Sequence, residues 1–239
     1  MGVFDGHGQN GRKVSSFVKL QFPKMLQEHS SYPHDMSRVY RDCTLEIEEQ
    51  LKKQEFDVRL SGTTGTYMVM NDGVAHVGWC GDSRAVLGYF DKQTQSYKSF
   101  DLTTDHKPGD ELERTRIESY GGMVMKVGSV DSEADNGIPA RVFDKVRPHF
   151  GPGIAMSRSI GDTNATSLGV LPEPDYYKHT ISPEDGFMIF ASDGLWEVFT
   201  SDEAVEWVTK YLKQMEIKGI VPGQTSETNH LIASQNLAV

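Results

Sequence analysis

The feature that most constrains the fold is a set of three short strand-like runs between residues 66 and 90, with a tight turn after each of the first two. The first two runs are Thr66–Met70 and Val74–Trp79, and Asn71-Asp-Gly73 between them is a strong β-hairpin signal. Gly81-Asp-Ser83 then turns the chain into Arg84–Phe90. Strands joined so closely cannot pair in parallel, because a parallel pair needs a crossover of roughly a dozen residues. The segment therefore predicts an antiparallel meander.

Helical patterns flank the meander on both sides. Asp35 can cap a helix in which apolar residues recur every four positions. These residues are Val39, Cys43, Ile47 and Leu51. Beyond the meander, residues 110–120 have a helical pattern, and Thr200 with Glu203 forms a capping box for a last helix. Helices combined with antiparallel strands predict a layered α+β fold.

Composition and charge exclude several classes of protein. The chain has 239 residues, a formal net charge of −10 at pH 7 and two cysteines, Cys43 and Cys80. The negative charge disfavours nucleic acid and anionic membranes as partners, and so few cysteines exclude a disulfide framework. No apolar run approaches the roughly 18 to 20 residues of a membrane helix, and the sequence opens with no secretory signal. We expect a monomer in the cytoplasm or nucleus, with residues 1–239 forming a single domain.

One internal segment departs from this regular pattern. Residues 123–153 lack a clean periodicity and contain several glycines and prolines. Long irregular segments inside a domain are usually functional or mobile. We therefore expect residues 123–153 to form a surface flap within the domain.

Three aspartates, Asp5, Asp105 and Asp193, follow apolar runs and stand next to turn residues. Carboxylates at strand ends can project into a cleft, and several such oxygens suit Mg²⁺ or Mn²⁺ better than zinc. Gly6 lets the backbone come close to an ion, so its carbonyl is a further candidate ligand. However, Asp-Gly is also among the commonest turn dipeptides, and an isolated histidine such as His7 is more often an ordinary polar residue. The residues alone thus leave open both a divalent-metal hydrolase and a set of plain turns.

Eight short segments together cover nearly the whole chain. They are Val3-Phe-Asp-Gly-His-Gly8, Ser61-Gly-Thr-Thr-Gly65, Gly81-Asp-Ser-Arg-Ala-Val86, Leu102-Thr-Thr-Asp-His-Lys-Pro108, Arg116-Ile-Glu-Ser-Tyr-Gly-Gly122, Ile154-Ala-Met-Ser-Arg-Ser-Ile-Gly-Asp162, Pro172-Glu-Pro174 and Ala191-Ser-Asp-Gly-Leu-Trp196. In this order they resemble the signatures of the type-2C metal-dependent Ser/Thr protein phosphatases. The stretch from Ala140 to Gly153 is most similar to plant and protozoan members of that family.

The resemblance implies a four-layer α-β-β-α sandwich, in which two antiparallel sheets are flanked by helices. It implies two Mg²⁺ or Mn²⁺ ions bridged by Asp5, with the Gly6 carbonyl on the second ion and Asp193 on the first. Asp105 corresponds to a ligand of a weaker third site, and His7 matches the general acid that protonates the leaving alkoxide. The implied activity is the hydrolysis of phosphoserine and phosphothreonine in proteins, a signalling reaction, by a hydroxide that bridges the two ions.

The sequence also departs from the family pattern. Family members carry a phosphate-binding Arg and a metal-binding Glu before the position of Asp5, and a further Asp ligand near the C-terminus that residues 226–239 do not supply. Glu197 replaces the usual Asp of the third site. These differences keep an alternative open: a truncated or pseudophosphatase module that binds phosphoproteins or a kinase with little catalysis. Asp82 and Asp162 also lie in family motifs, and we assign them to turn and core hydrogen bonding.

Overall fold

The computed structural model describes residues 1–126, 138–146 and 152–217. Its helices are α1 (Gly11–Glu28), α2 (Met36–Leu51), α3 (Glu111–Ser119), α4 (Thr163–Thr166), α5 (Asp193–Trp196) and α6 (Ser201–Ile217). Its strands are β1 (Gly2–Val3), β2 (Gly6–His7), β3 (Gly62–Thr63), β4 (Gly65–Asn71), β5 (Val74–Cys80), β6 (Arg84–Asp91), β7 (Ser96–Asp101), β8 (Gly122–Lys126), β9 (Ala140–Asp144), β10 (Ile160–Gly161), β11 (Asp175–Thr180) and β12 (Asp185–Ala191). All pairs between these strands are antiparallel, which agrees with the predicted α+β class.

The elements belong to two compact units. Unit 1 holds residues 1–83 and the described part of 103–180, and unit 2 holds residues 84–102 and 181–217. Unit 1 contains a long sheet of order β1-β4-β5-β11, a short-strand sheet of order β10-β3-β2 and the pair β8-β9. Unit 2 contains a sheet of order β12-β6-β7. The expectation of a single domain over the whole chain stays a prediction.

The hairpin between β4 and β5 forms as predicted. Asn71 pairs with Val74, so the turn consists of Asp72 and Gly73, whose φ angles of 47° and 73° are both positive, as a type I′ turn requires. The prediction that the next strand continues this meander was wrong. Strand β6 pairs with β7 and β12, while the other edge of β5 pairs with β11. Gly81, with a φ of 104°, turns the chain out of the long sheet after β5.

A hydrophobic core in unit 1 joins α1, α2 and β4. The predicted apolar stripe of α2 is buried at all four positions, Val39, Cys43, Ile47 and Leu51. Tyr67 of β4 lies at the centre of this core, with its ring centroid 4.4 Å from that of Phe22 and 4.8 Å from that of Tyr40. Aromatic side chains bury the most apolar area per residue, so this cluster contributes strongly to the stability of unit 1.

A second hydrophobic cluster includes part of the segment that the sequence suggested was an irregular flap. Residues 123–126 and 140–144 lie in β8 and β9, where Val124 pairs with Val142 and both side chains are buried. They pack with α3 and its neighbours through Ile117. The expectation of irregular structure is therefore wrong for these strands, which pair over five residues and bury one valine each. Residues 127–137 and 147–151 lie outside the described part, and a flap that includes them stays a prediction.

In unit 2, helix α6 begins at the predicted capping box. The backbone N–H of Thr200 donates to Glu203 Oε2 (2.8 Å), and the backbone N–H of Glu203 donates to Thr200 Oγ1 (3.3 Å). Ala204 and Val205 then begin the buried face of the helix. Across the described ranges of both units, no helix combines the length and apolar character needed to cross a membrane.

Candidate functional site

The short-strand sheet places His7 opposite a residue that has no side chain. His7 of β2 pairs with Gly62 of β3, and on the other side Gly161 of β10 pairs with the same glycine. A Cβ atom on Gly62 would lie 2.2 Å from Asp162 Oδ2 and 2.6 Å from Ser159 Oγ. Only glycine leaves room at this position, and the space is occupied by the carboxylate of Asp162.

Through this gap Asp162 contacts His7. The Nε2 atom of His7 forms a short hydrogen bond with Asp162 Oδ2, and Ser159 Oγ donates to the same oxygen (2.7 Å). The Asp162 side chain is 5% exposed, whereas 29% of the His7 side chain remains exposed. The assignment of Asp162 to core hydrogen bonding is thus correct for its bond to Ser159 but incomplete, because the sequence did not reveal its contact with His7.

The electrostatic environment of His7 favours its protonated form. Burial, the largest single influence, lowers the pKa of His7, but the hydrogen bond to Asp162 and the charge of that carboxylate outweigh it. The charges of Asp82 and Asp5 also raise the pKa of His7. The net result is a pKa above the usual value, and a protonated histidine can act as a proton donor.

A buried carboxyl group lies behind the site on α2. The backbone N–H of Gly161 donates to Glu48 Oε2 (2.7 Å), and Glu48 is 2% exposed. Burial raises the pKa of this glutamate to about 7, while its bond to Gly161 partly opposes the rise. Within the described residues its Oε1 atom has no hydrogen-bond partner. No sequence pattern indicates this residue, since a glutamate among the polar positions of an amphipathic helix is expected to be exposed.

The backbone around Asp5 is held by two threonines of the adjoining segment. Its N–H donates to Thr64 Oγ1 (3.1 Å), and its carbonyl accepts from Thr63 Oγ1 and from the Thr64 N–H, both at 2.9 Å. Thr64 is buried and also shares a hydrogen bond with Ser83 Oγ (2.6 Å). At Gly6 a Cβ atom would lie 2.3 Å from the carbonyl oxygen of Gly11, so close packing excludes any side chain there.

Asp105 lies in a loop that is fastened to the end of β5. Trp79 Nε1 donates to the carbonyl of Thr104 (2.8 Å), and the ring of His106 stacks on that of Trp79 with a centroid distance of 5.9 Å. The carbonyl of Gly81 accepts from the backbone N–H of His106 (3.0 Å), and the N–H of Gly81 donates to His106 Nδ1 (3.1 Å). These contacts hold the backbone on both sides of Asp105.

Asp193 belongs to unit 2, where it is the first residue of α5, and Ser192 separates it from the end of β12. Its carbonyl accepts from the backbone N–H of Glu197 (2.8 Å), and Trp196 Nε1 donates to the carbonyl of Ala191 (2.9 Å). The predicted residues Asp5, Gly6, His7 and Asp105 all lie in unit 1. In the parts of the chain that the structure describes, no three His, Cys, Asp or Glu side chains form a group that could hold a metal ion.

Comparisons with known sequences identify relatives over almost the whole chain. The sequence profile of the family Protein phosphatase 2C matches residues 1–236. Probable protein phosphatase 2C 35 of Arabidopsis thaliana is 35% identical over 223 residues, which covers 88% of this chain and 63% of that protein. The integrin-linked kinase-associated serine/threonine phosphatase 2C of Homo sapiens is 28% identical, and the match covers 99% of this chain and 57% of that protein. The chain therefore spans less than two thirds of the length of these relatives.

Solved structures share the fold of this chain at low sequence identity. The serine-threonine phosphatase 2C from Toxoplasma gondii has a TM-score of 0.66 at 22% identity, over 93% of this chain and 75% of that one. A C. elegans sex determining protein has a TM-score of 0.69 at 22% identity, over 88% of this chain and 47% of that one. At this identity the likeness supports the fold alone, and it confirms the predicted α+β sandwich class. Because the family profile matches all but the last three of its residues, the chain belongs to the Protein phosphatase 2C family.

Proposed function

We propose that this chain is the catalytic part of a protein Ser/Thr phosphatase that hydrolyses phosphoserine and phosphothreonine in proteins. The observation that carries the proposal is the position of His7. Its side chain is partly exposed, it lies two residues after Asp5 along the chain, and it is held by the buried Asp162. The relatives named as Ser/Thr phosphatases support the same activity. The non-enzymatic alternative, a module that only binds phosphoproteins or a kinase, finds no support in these comparisons.

In the proposed reaction His7 acts as the general acid. A water oxygen bonds to phosphorus, the bond from phosphorus to the seryl oxygen breaks, and His7 gives its proton to that oxygen. Without this proton an alkoxide would have to leave, and an alkoxide is a poor leaving group. The raised pKa favours the protonated form of His7, and the proton released by the attacking water restores the acid.

We further propose that the activity requires Mg²⁺ or Mn²⁺, with two ions and a third, weaker one. Asp5, the Gly6 carbonyl, Asp105 and Asp193 are oxygen donors of the kind these ions prefer. The described residues supply such donors but do not complete a metal site. When bound, divalent ions would supply neutralisation of phosphate charge and activation of water.

Calorimetric titration with Mn²⁺ tests the metal proposal. The Asp5→Asn variant should bind Mn²⁺ more weakly than the parent chain, because it loses a charged ligand. Asp72→Asn is a matched control, since Asp72 lies in the exposed hairpin turn and Asn tolerates its positive φ. Equal binding by the parent and Asp5→Asn would contradict the assignment.

Turnover tests the proposed chemistry. We expect Mn²⁺-dependent hydrolysis that EDTA abolishes. His7→Ala should slow hydrolysis of a phosphoserine peptide by about 10²-fold or more, and should slow an aryl phosphate much less, because a phenolate scarcely needs protonation. An equal loss on both substrates would remove His7 from the role of acid. Monomeric state and a cytoplasmic or nuclear location stay predictions from the sequence.

A further inference from the structure

We propose that Asp162 is the positioning residue of His7: it holds the Nε2 atom and leaves Nδ1 as the ring nitrogen that delivers the proton. This inference rests on the proposed phosphatase function and adds the residue and the ring atom that orient its acid. A histidine ring can present either nitrogen to a substrate, and the atom in use is set by what the other one binds.

The hydrogen bonds at Asp162 determine the direction of the contact. An ionised carboxylate only accepts, so the partner of its Oδ2 atom has to be a donor. Ser159 Oγ donates to this oxygen at 2.7 Å, and the remaining contact there is His7 Nε2. In this contact Nε2 therefore carries a proton and donates it, and Nδ1 is the other polar atom of the ring.

The backbone fixes the carboxylate that makes this contact. Asp162 adopts a left-handed conformation, with φ 44° and ψ 47°, and its N–H donates to the carbonyl of Ser61 (3.0 Å). The preceding residue, Gly161, is held by Glu48 of α2 at 2.7 Å. Together with the close approach to Gly62, these contacts leave Asp162 little freedom. A fixed carboxylate orients the imidazole much as an acceptor on the second nitrogen orients a metal-binding histidine.

The chemical variant for the test is Asp162→Asn. Asparagine has the same shape and is one of the few residues that accept a left-handed backbone, so the fold should survive. Ser159→Ala is a second, milder variant, because it removes the other donor to the same oxygen. Thr44→Val is the matched control. It removes a buried hydroxyl that bonds to Tyr40 and Tyr67 and makes no contact with His7.

Nuclear magnetic resonance of the 239-residue chain labelled with ¹⁵N-histidine tests the contact without any need for turnover. In the parent, the Nε2 proton of His7 should give a signal that exchanges slowly with water. Asp162→Asn should weaken this protection strongly, because a neutral amide oxygen is a weaker acceptor than a carboxylate. Ser159→Ala should weaken it less, and Thr44→Val should leave it unchanged. Protection of an Nδ1 proton instead, or an unchanged Nε2 signal in Asp162→Asn, would overturn the proposal.

A double-mutant cycle then tests whether Asp162 acts through His7. With Mn²⁺ present, Asp162→Asn should lower kcat for a phosphoserine peptide by about tenfold or more, with KM little changed and a smaller effect on an aryl phosphate. In a His7→Ala background the same substitution should not further change the ratio of the phosphoserine-peptide rate to the aryl-phosphate rate. An equal effect in both backgrounds would show a merely structural role. If the chain shows no turnover at all, the proposed function fails and the proton-delivering role of Nδ1 fails with it, while the resonance experiment still decides whether Asp162 holds His7 Nε2.

Discussion

The long sheet and the short-strand sheet of unit 1 are built on opposite principles. In the long sheet, β4 and β5 pair over seven residues each, and Ala75, Val77 and Cys80 of β5 are buried. In the short-strand sheet each strand has two residues, and three of the six are the glycines Gly6, Gly62 and Gly161. Apolar burial stabilises the first sheet, while buried polar groups and the absence of side chains specify the second. The candidate active site depends on the second sheet.

The substitution Gly62→Ala should have the largest effect. Its Cβ would lie 2.2 Å from Asp162 Oδ2, so the carboxylate would have to leave its place between Ser159 and His7. Overpacking and the loss of buried hydrogen bonds together should lower the free energy of unfolding by about 3 kcal/mol or more. Urea denaturation measures this loss, and the protected His7 signal should disappear.

Gly109→Ala is the control for that change, because its Cβ would meet its nearest neighbour at an ordinary 3.9 Å. It should alter neither stability nor the His7 signal appreciably. If Gly62→Ala behaved like this control, the proposed dependence of the site on a missing side chain would be wrong.

The next effect concerns pH and the buried carboxyl of Glu48. Its pKa is about 7 in the folded state, whereas an unfolded glutamate titrates near 4.5. Between these values the folded chain binds more protons, so the free energy of unfolding falls as the pH rises from about 4.5 through about 7. The full loss is at most about 3 kcal/mol. Glu48→Gln stays neutral and keeps an acceptor for Gly161, so this loss should vanish.

Urea denaturation at pH 5.5 and pH 8 measures the difference. The variant should gain stability relative to the parent at the higher pH. Glu46→Gln, on the exposed face of the same helix, should preserve the pH dependence of the parent chain. Parallel pH profiles for the parent and Glu48→Gln would show that Glu48 does not titrate in this range.

The smallest of the three effects belongs to the long sheet. Val77 is fully buried, and Val77→Ala should lower the free energy of unfolding by about 2 kcal/mol through lost burial and a small cavity. The His7 signal should nevertheless remain protected at low urea. Val198→Ala, at a side chain that is 72% exposed, should cost almost nothing. Loss of the His7 signal in Val77→Ala would mean that the contact between His7 and Asp162 depends on the packing of the long sheet.

The same contrast explains what the sequence could predict. The hairpin turn at Asp72 and Gly73 and the capping box at Thr200 are local, so short sequence patterns identify them. Strands of two residues have no periodicity, and nothing near Asp162 in the sequence indicates that it meets His7. Family motifs indicated His7, but its partner depends on the register of three strands that are distant along the chain. Strands β8 and β9 were missed because their apolar residues, Met123 to Met125 and Val142 with Phe143, are contiguous and do not alternate with polar ones.

The pairing of β2, β3 and β10 also bears on the order of folding events. The contact between His7 and Asp162 closes a loop of 155 residues. Closing that loop costs conformational entropy, and strands of two residues form few hydrogen bonds to offset the cost. Local structure such as α2 and the β4–β5 hairpin needs no such closure and forms on faster timescales. In stopped-flow refolding we therefore expect the helical circular-dichroism signal to return before the proposed phosphatase activity does. A chain caught midway would look folded by spectroscopy while His7 still lacked its contact with Asp162.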